Sequence, residues 1–291
     1  MTTTTPLSVL HGACTHVGLD ASDGVPLHQH AATLYLLETE RVVIRLNRDA
    51  DDRARARTAV ELTRWLTQQD FPSVEPADIE QPLDLVDYTV TFWRYYPQNG
   101  RPKPTAEHLG KMLRHLHALP TPPVALFPYQ PLKNFADSVT ASTCLPAEDR
   151  AWLLTRRTEL LDQYERLDFP LGHGWIHGDA YPGNTLWNGD QPLLGDWDEV
   201  GTGPRELDLI NTHQGARFGR PLVERQAFNT AYGYDVTTWP GFPVLREMRD
   251  LHTLGSYIRL ADTGNEPAGI ELAFRIETLK QVDKNARWNA R

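Results

Sequence analysis

The sequence predicts an α+β protein of two lobes: a strand-rich N-terminal lobe over residues 1–96 and a mainly helical C-terminal lobe over residues 97–291. Three observations point there. Short runs of β-branched and aromatic residues crowd the first third of the chain. Apolar residues recur at helical spacing through most of the remainder. The break Pro97-Gln98-Asn99-Gly100 stands between the two patterns and marks the boundary.

Along the first lobe, Thr33–Leu37 and Val42–Leu46 are two short β-type runs separated by Glu38-Thr39-Glu40-Arg41, the pattern of a hairpin. A helix follows over Asp49–Gln69. Asp49, Asp51 and Asp52 favour its N-terminus, and Val60, Leu62, Trp65 and Leu66 supply an apolar face. Tyr88–Trp93 is the next strand and runs into Tyr95-Tyr96-Pro97. In the second lobe, Thr105–Leu119 carries Leu109, Met112, Leu113 and Leu116 at helical spacing and is closed by Pro120. Ala147–Leu167 is a longer amphipathic segment. Three or four more helices follow, with Pro204 and Pro221 placed as first-turn prolines and the last two near 243–262 and 266–288. There is no internal repeat.

Bulk properties exclude several classes. The chain has 291 residues and a formal net charge of −9, spread as 14 acids and 8 bases in residues 1–96 and 24 acids and 21 bases in residues 97–291. No basic patch suggests nucleic acid as a partner. A mildly acidic surface suits a cationic ligand, as it does in many proteins. Cys14 and Cys144 are far apart and form no C-x-x-C pair, so they read as reduced thiols. The N-terminus shows no basic stretch leading into an apolar one, and no apolar run reaches the ~20 residues of a membrane span. The expectation is a soluble, cytoplasmic protein.

The chemistry concentrates in His177-Gly178-Asp179-Ala180-Tyr181-Pro182-Gly183-Asn184 and in Asp196-Trp197-Asp198 twelve residues on. The spacing H-x-D-x-x-x-x-N fits the catalytic loop of protein kinases. Phosphoryl transfer from a nucleotide asks for these residue types. One carboxylate, Asp179, accepts the proton of an attacking hydroxyl. An amide oxygen, from Asn184, and a second carboxylate, Asp196, are hard ligands for magnesium on the phosphates. Asp198 could reach a second metal or a cationic substrate, or cap the following turn. His177 reads as a hydrogen-bonding scaffold. The histidines form neither H-E-x-x-H nor a Cys/His set, which argues against zinc.

With Leu194–Glu199 and Gly203-Pro204-Arg205-Glu206-Leu207-Asp208-Leu209, the segment resembles the aminoglycoside phosphotransferase and choline kinase family. Leu109–Leu119 also resembles the helix that ends in Leu-His in many members. The resemblance implies the protein-kinase-like fold, with nucleotide held between the lobes, and covers most of the chain. It implies Asp179 as catalytic base, Asn184 and Asp196 as magnesium ligands, and Asp208 as a structural brace of the catalytic loop beside His177. Trp93, Tyr95 and Tyr96 fall where the family's hinge holds adenine. The implied cofactors are Mg2+ and ATP or GTP as phosphate donor.

Two departures stand out. Val43-Ile44-Arg45 fills the place of V-A-I-K, with arginine in place of lysine. A guanidinium can bind phosphate as a planar fork where an ammonium is a point charge. The acid expected to pair with it from the next helix is best matched by Glu61; a slip of two residues would reach Ala59, where no acid exists. There is also no G-x-G-x-x-G, and the corresponding loop is His28–Thr33. The expected activity is transfer of phosphate from a nucleotide to a hydroxyl of a small polar molecule, such as an aminoglycoside or related antibiotic, with a sugar, amino alcohol or nucleoside as alternatives. Asp198, Glu199 and His213, with Asp235 and Glu271, are candidate acceptor contacts. A pseudokinase-like binding module is the rival from another class. A protein kinase is disfavoured because only 12 residues separate Asp196 from Asp208 and no A-P-E element follows.

Overall fold

The computed structural model describes residues 5–29, 33–48, 52–85 and 87–289. In chain order its elements are α1 (Pro6–Val17), β1 (Val25–Gln29), β2 (Thr33–Leu37), β3 (Val42–Asn47), α2 (Asp52–Gln68), β4 (Leu83–Leu85), β5 (Tyr88–Arg94), α3 (Ala106–Leu116), β6 (Phe127–Pro128), α4 (Lys133–Ala141), α5 (Ala147–Tyr164), β7 (His173–Ile176), β8 (Thr185–Asn188), β9 (Gln191–Leu194), β10 (Gly201–Pro204), α6 (Glu206–Gln214), α7 (Leu222–Tyr232), α8 (Phe242–Asp262) and α9 (Glu266–Lys280). The chain divides into two compact units. One holds Met1–Pro104, Ala118–Phe127 and His177–Gly201; the other holds Thr105–His117, Pro128–Ile176 and Thr202–Arg291. The motif segment 177–201, which the sequence places with the helices, groups with the strands.

The first unit is built on a five-stranded antiparallel sheet of order β1-β2-β3-β5-β4. The hairpin expected at residues 33–46 forms with Leu37 opposite Val42. Alternation along β3 sends Ile44 and Leu46 into a core with Val90, Phe92, Leu10 and Ala13, and turns Arg45 to the other face. The sequence reading omits α1. Its residues, PLSVLHGACTHV, have little helix propensity, and burial of Val9, Leu10, Ala13 and Cys14 compensates. Its ends carry local signals: Thr5 accepts from the Ser8 amide, Pro6 opens the helix, and Gly18 closes it at φ 76°. Asp49 and Asp51, expected at the start of α2, and residues 30–32 of the loop before β2 lie outside the described residues.

The second unit is mainly helical. α3 and α7 cross where Gly110 lies so close that a Cβ there would stand 2.6 Å from the Phe228 carbonyl oxygen. α8 runs through the core on Leu245, Met248, Leu251, Leu254 and Ile258. Two expectations are corrected here. Pro204 ends β10 and Pro221 is the N-cap of α7, so neither sits in a first helical turn. The last helix stops at Lys280, well short of 288, because the tail turns back: Trp288 is buried, its amide donates to the Arg217 carbonyl at 2.7 Å, and Arg275 donates to the Asn289 carbonyl at 2.7 Å. No helix among the described residues is long and apolar enough to cross a membrane.

Candidate active site

The motif residues are held by backbone geometry within the first unit. His177 is fully buried. Its Nδ1 accepts from the Asp179 amide at 3.3 Å, its Nε2 donates to the Gly195 carbonyl at 2.9 Å, and its ring lies 4.5 Å from that of Trp197. It therefore ties the segment before Asp179 to the one before Asp196. Gly178 has φ 85°, and a Cβ on it would fall 2.2 Å from the Glu199 carbonyl oxygen, so no other residue fits without moving the loop. Pro182–Asn184 forms a 3₁₀ turn that closes the five-residue gap from Asp179. The Asn184 amide nitrogen donates to the Asp179 carbonyl at 2.9 Å and to Asp179 Oδ2 at 3.3 Å. The Gly195 amide donates to the Asn184 carbonyl at 2.9 Å. Lys103, which the sequence reading does not single out, donates through Nζ to the Gly183 carbonyl and, at 3.4 Å, to that of Thr185.

Asp196 follows β9 in the left-handed region at φ 62°. A non-glycine residue there costs on the order of 1–3 kcal/mol and is found where surrounding structure enforces it, often at functional sites. The enforcing residue is Trp197, buried against Phe71 and His177 with Nε1 donating to the Leu194 carbonyl at 3.3 Å. Arg45 reaches this turn from β3. Its Nη1 meets Asp196 Oδ1 at 3.2 Å, its Nη2 meets Asp198 Oδ2, and its Nε donates to Asn47 Oδ1 at 3.2 Å. The α2 residue that joins them is Arg55, donating to the Asp198 carbonyl at 3.3 Å. Glu61, the expected partner of Arg45, is exposed, and Ala59 is buried, so neither position of α2 offers Arg45 an acid.

Trp93, Tyr95 and Tyr96, expected at the hinge, also lie in the first unit. Trp93 Nε1 donates to Thr91 Oγ1 at 2.9 Å, and the Tyr95 amide is taken by the Arg41 carbonyl at 2.9 Å. Tyr96 is buried and its hydroxyl accepts from the Glu75 amide at 3.2 Å; burial, reinforced by Glu75, pushes its pKa up to about 12. Gln98 pins this segment to β8: it donates to the carbonyls of Tyr96 and Trp187 at 2.7 and 3.1 Å and accepts from the Trp187 amide at 3.0 Å.

Other candidates belong to the second unit. Asp208 is fully buried, 3.0 Å from His117 Nε2, while the Tyr232 hydroxyl donates to His117 Nδ1 at 2.8 Å. His213 is buried with Nε2 on Asn229 Oδ1 at 2.8 Å, and burial lowers its pKa. Asp235 accepts from Asn229 at 2.7 Å and caps the turn at Thr237. Glu271 accepts from Arg275 at 2.8 Å and from Asn289 in the tail at 2.9 Å. These three are engaged in internal packing. Glu199, by contrast, belongs to the first unit and lies in the 3₁₀ turn after Asp196, its carbonyl over Gly178.

A model described as the phosphotransferase enzyme family matches residues 25–251. The chain belongs to that family. Among solved structures it is similar to amicoumacin kinase hAmiN in complex with AMP-PNP, Ca2+ and Ami (13% identity, 98% of this chain and 96% of that one, TM-score 0.76). It is also similar to a microcompartment-associated aminopropanol kinase (16%, 97% and 99%, 0.69) and to spectinomycin phosphotransferase APH(9)-Ia in complex with ADP and its antibiotic (17%, 98% and 96%, 0.62). At these identities the likeness shows the shared kinase-like fold. No curated protein matches the sequence.

For a phosphotransferase family member, the donor set at the motif bears on the metal. Among the described residues no cluster of three or more His, Cys, Asp or Glu could hold an ion unaided. With its nitrogen engaged by Asp179, Asn184 has its amide oxygen left to ligate, and the Asp196 carboxylate is 43% exposed. One amide oxygen and one carboxylate suit a hard cation whose remaining ligands are phosphates and water.

Proposed function

We propose that this chain transfers the γ-phosphate of ATP, or of GTP, to a hydroxyl of a small polar molecule. The observation that carries the proposal is the contact of Asp179 with Asn184 at the end of the Pro182–Asn184 3₁₀ turn, with Asp196 held by the His177–Gly195 tie. Asp179 orients the acceptor hydroxyl and receives its proton as the oxygen attacks phosphorus; the nucleoside diphosphate leaves. Asn184 and Asp196 would hold Mg2+, which when bound offsets charge on the phosphates. Arg45 offers its fork to the same phosphates. Trp93 and Tyr95 would border the base. The acceptor class supported best is an amino-bearing alcohol, including aminoglycoside and related antibiotics. Amicoumacin kinase, a spectinomycin phosphotransferase and an aminopropanol kinase are all among the similar structures. Asp198 and Glu199, next to the metal turn, add negative charge that suits such a cation.

The test is a mass-shift screen of amino alcohols, amino sugars and antibiotics with ATP and magnesium, repeated with Asp179→Asn. A phosphorylated acceptor whose turnover drops by about a thousandfold or more in the variant supports the assignment, because loss of a positioned base removes a factor of about 10²–10⁴. Turnover surviving within about tenfold removes Asp179 from the role. Magnesium-independent nucleotide binding without turnover on any acceptor would favour the inert binding module.

A further inference from the structure

We infer that Asp198 is the positioning residue for Arg45, supplying from the turn after β9 the acid that positions 59 and 61 of α2 do not. The inference rests on the phosphotransferase reading and gives Asp198 a different task from the acceptor or metal contact that its neighbourhood suggests.

Five observations converge. Arg45 stands on β3 with its side chain 22% exposed, so its guanidinium is partly desolvated and needs fixed partners. Its two terminal nitrogens are directed at two different carboxylates, Asp196 and Asp198, and its Nε is held by Asn47 at 3.2 Å. A fork gripped at all three nitrogens has little rotational freedom left. Glu61, the residue that would pair from the helix, is exposed, and the buried Ala59 cannot replace it. Asp198 is itself fixed, with Trp197 buried on one side and Arg55 donating to its carbonyl at 3.3 Å on the other.

The two carboxylates have separable fates. Asp196 would leave Nη1 either for a bound Mg2+ or on displacement by an incoming phosphate oxygen, so the Nη1 contact would be given up in both cases. Asp198, two residues on, keeps Nη2 in place and leaves Nη1 to turn to a phosphate oxygen. A carboxylate that served as a metal ligand would act only when metal is present. One that holds Arg45 acts on the phosphates with or without metal. That difference makes the inference testable.

The experiment is calorimetric binding of AMP-PNP to the full chain, with Mg2+ and again with EDTA, for Asp198→Asn, Arg45→Met and the double variant, with Asp198→Glu as the charge-retaining control. The expected result is a loss of about tenfold in affinity for each single variant, the size of one charge-assisted hydrogen bond, with no further loss in the double variant. The loss persists in EDTA, and Asp198→Glu restores most of the affinity. Three results would overturn the inference: Asp198→Asn within twofold of the parent while Arg45→Met is weakened, an Asp198→Asn effect that vanishes in EDTA, or additive losses in the double variant. Far-ultraviolet circular dichroism of each variant verifies the fold, and Asp198→Glu reports on the same contact if Asp198→Asn misfolds. If the parent chain does not bind AMP-PNP under either condition, the phosphotransferase reading fails and takes this inference with it.

Discussion

His117, Asp208 and Tyr232 pin three helix ends to one another, and removing His117 should unfasten all three. His117 is the C-cap of α3, Asp208 lies in the first turn of α6, and Tyr232 is the last residue of α7. The pair distances are 3.0 Å from His117 Nε2 to Asp208 Oδ2 and 2.8 Å from Nδ1 to the Tyr232 oxygen, and all three residues are buried. Tyr232→Phe removes one neutral hydrogen bond and should cost ~1 kcal/mol. His117→Ala does more. It takes a partner from a buried carboxylate, orphans the tyrosine hydroxyl and opens a void at the ring's edge-on contact with Tyr232, 5.6 Å between centroids. Taking a donor from a buried carboxylate costs about 3 kcal/mol or more, so the two variants should differ by a factor of about three or more. Urea unfolding at constant m gives the difference, and hydrogen-exchange protection of amides in α3, α6 and α7 localises it. If the two variants lose the same stability within about 0.5 kcal/mol, the pairing with Asp208 carries no special weight and the reasoning is wrong.

Trp288→Ala should cost ~3–5 kcal/mol and expose the tail to proteolysis, since the ring is buried between Arg217 and Arg275, 4.5 and 4.8 Å from their guanidinium carbons, and bonded to Thr278. Gly110→Ala should destabilise by ~1–3 kcal/mol, because α3 and α7 must part to admit a Cβ 2.6 Å from the Phe228 carbonyl; a thermal midpoint unchanged from the parent would contradict the close crossing. Burial lowers the His213 pKa, so the unfolded chain binds its proton first: stability should fall as pH drops below about 6.5, and His213→Gln should flatten urea midpoints measured from pH 7 to 5. Lys103→Met should raise the magnesium concentration needed for half-maximal activity, with Lys103→Arg restoring it, because the ammonium bridges the carbonyls on either side of Asn184.

What could be read in the sequence follows from range. Asp179 and Asn184 are five residues apart and the Pro182–Asn184 turn closes that gap, so their meeting is a local property that spacing alone can indicate. The long helices are equally local, and α8 appears within a residue of its expected start because its apolar period is unbroken. Failures come where a contact spans the chain. Lys103 reaches residues 183 and 185 from the segment before α3, and no pattern around a lone lysine between two prolines signals it. α1 has poor propensity and exists through burial on the sheet. The tail looks like a continuing helix until Arg217 and Arg275 provide it with better partners.

Arg45 marks the boundary between the two kinds of information. Its place opposite Thr91 on β3 follows from the alternation of Val42, Ile44 and Leu46, and the sequence yields it directly. Its partner does not follow, because a helix can present an acid only at positions that face inward. On α2 the buried positions include Ala56, Ala59, Leu62, Thr63 and Leu66, none of them acidic, with Arg55 half-buried and Glu61 exposed. An arginine there would lack a counter-charge if the acid had to come from α2. The turn after β9 removes that requirement by placing a carboxylate on each side of the buried Trp197, and the guanidinium meets both. Arg45 and its acid thus stand 153 residues apart in the chain.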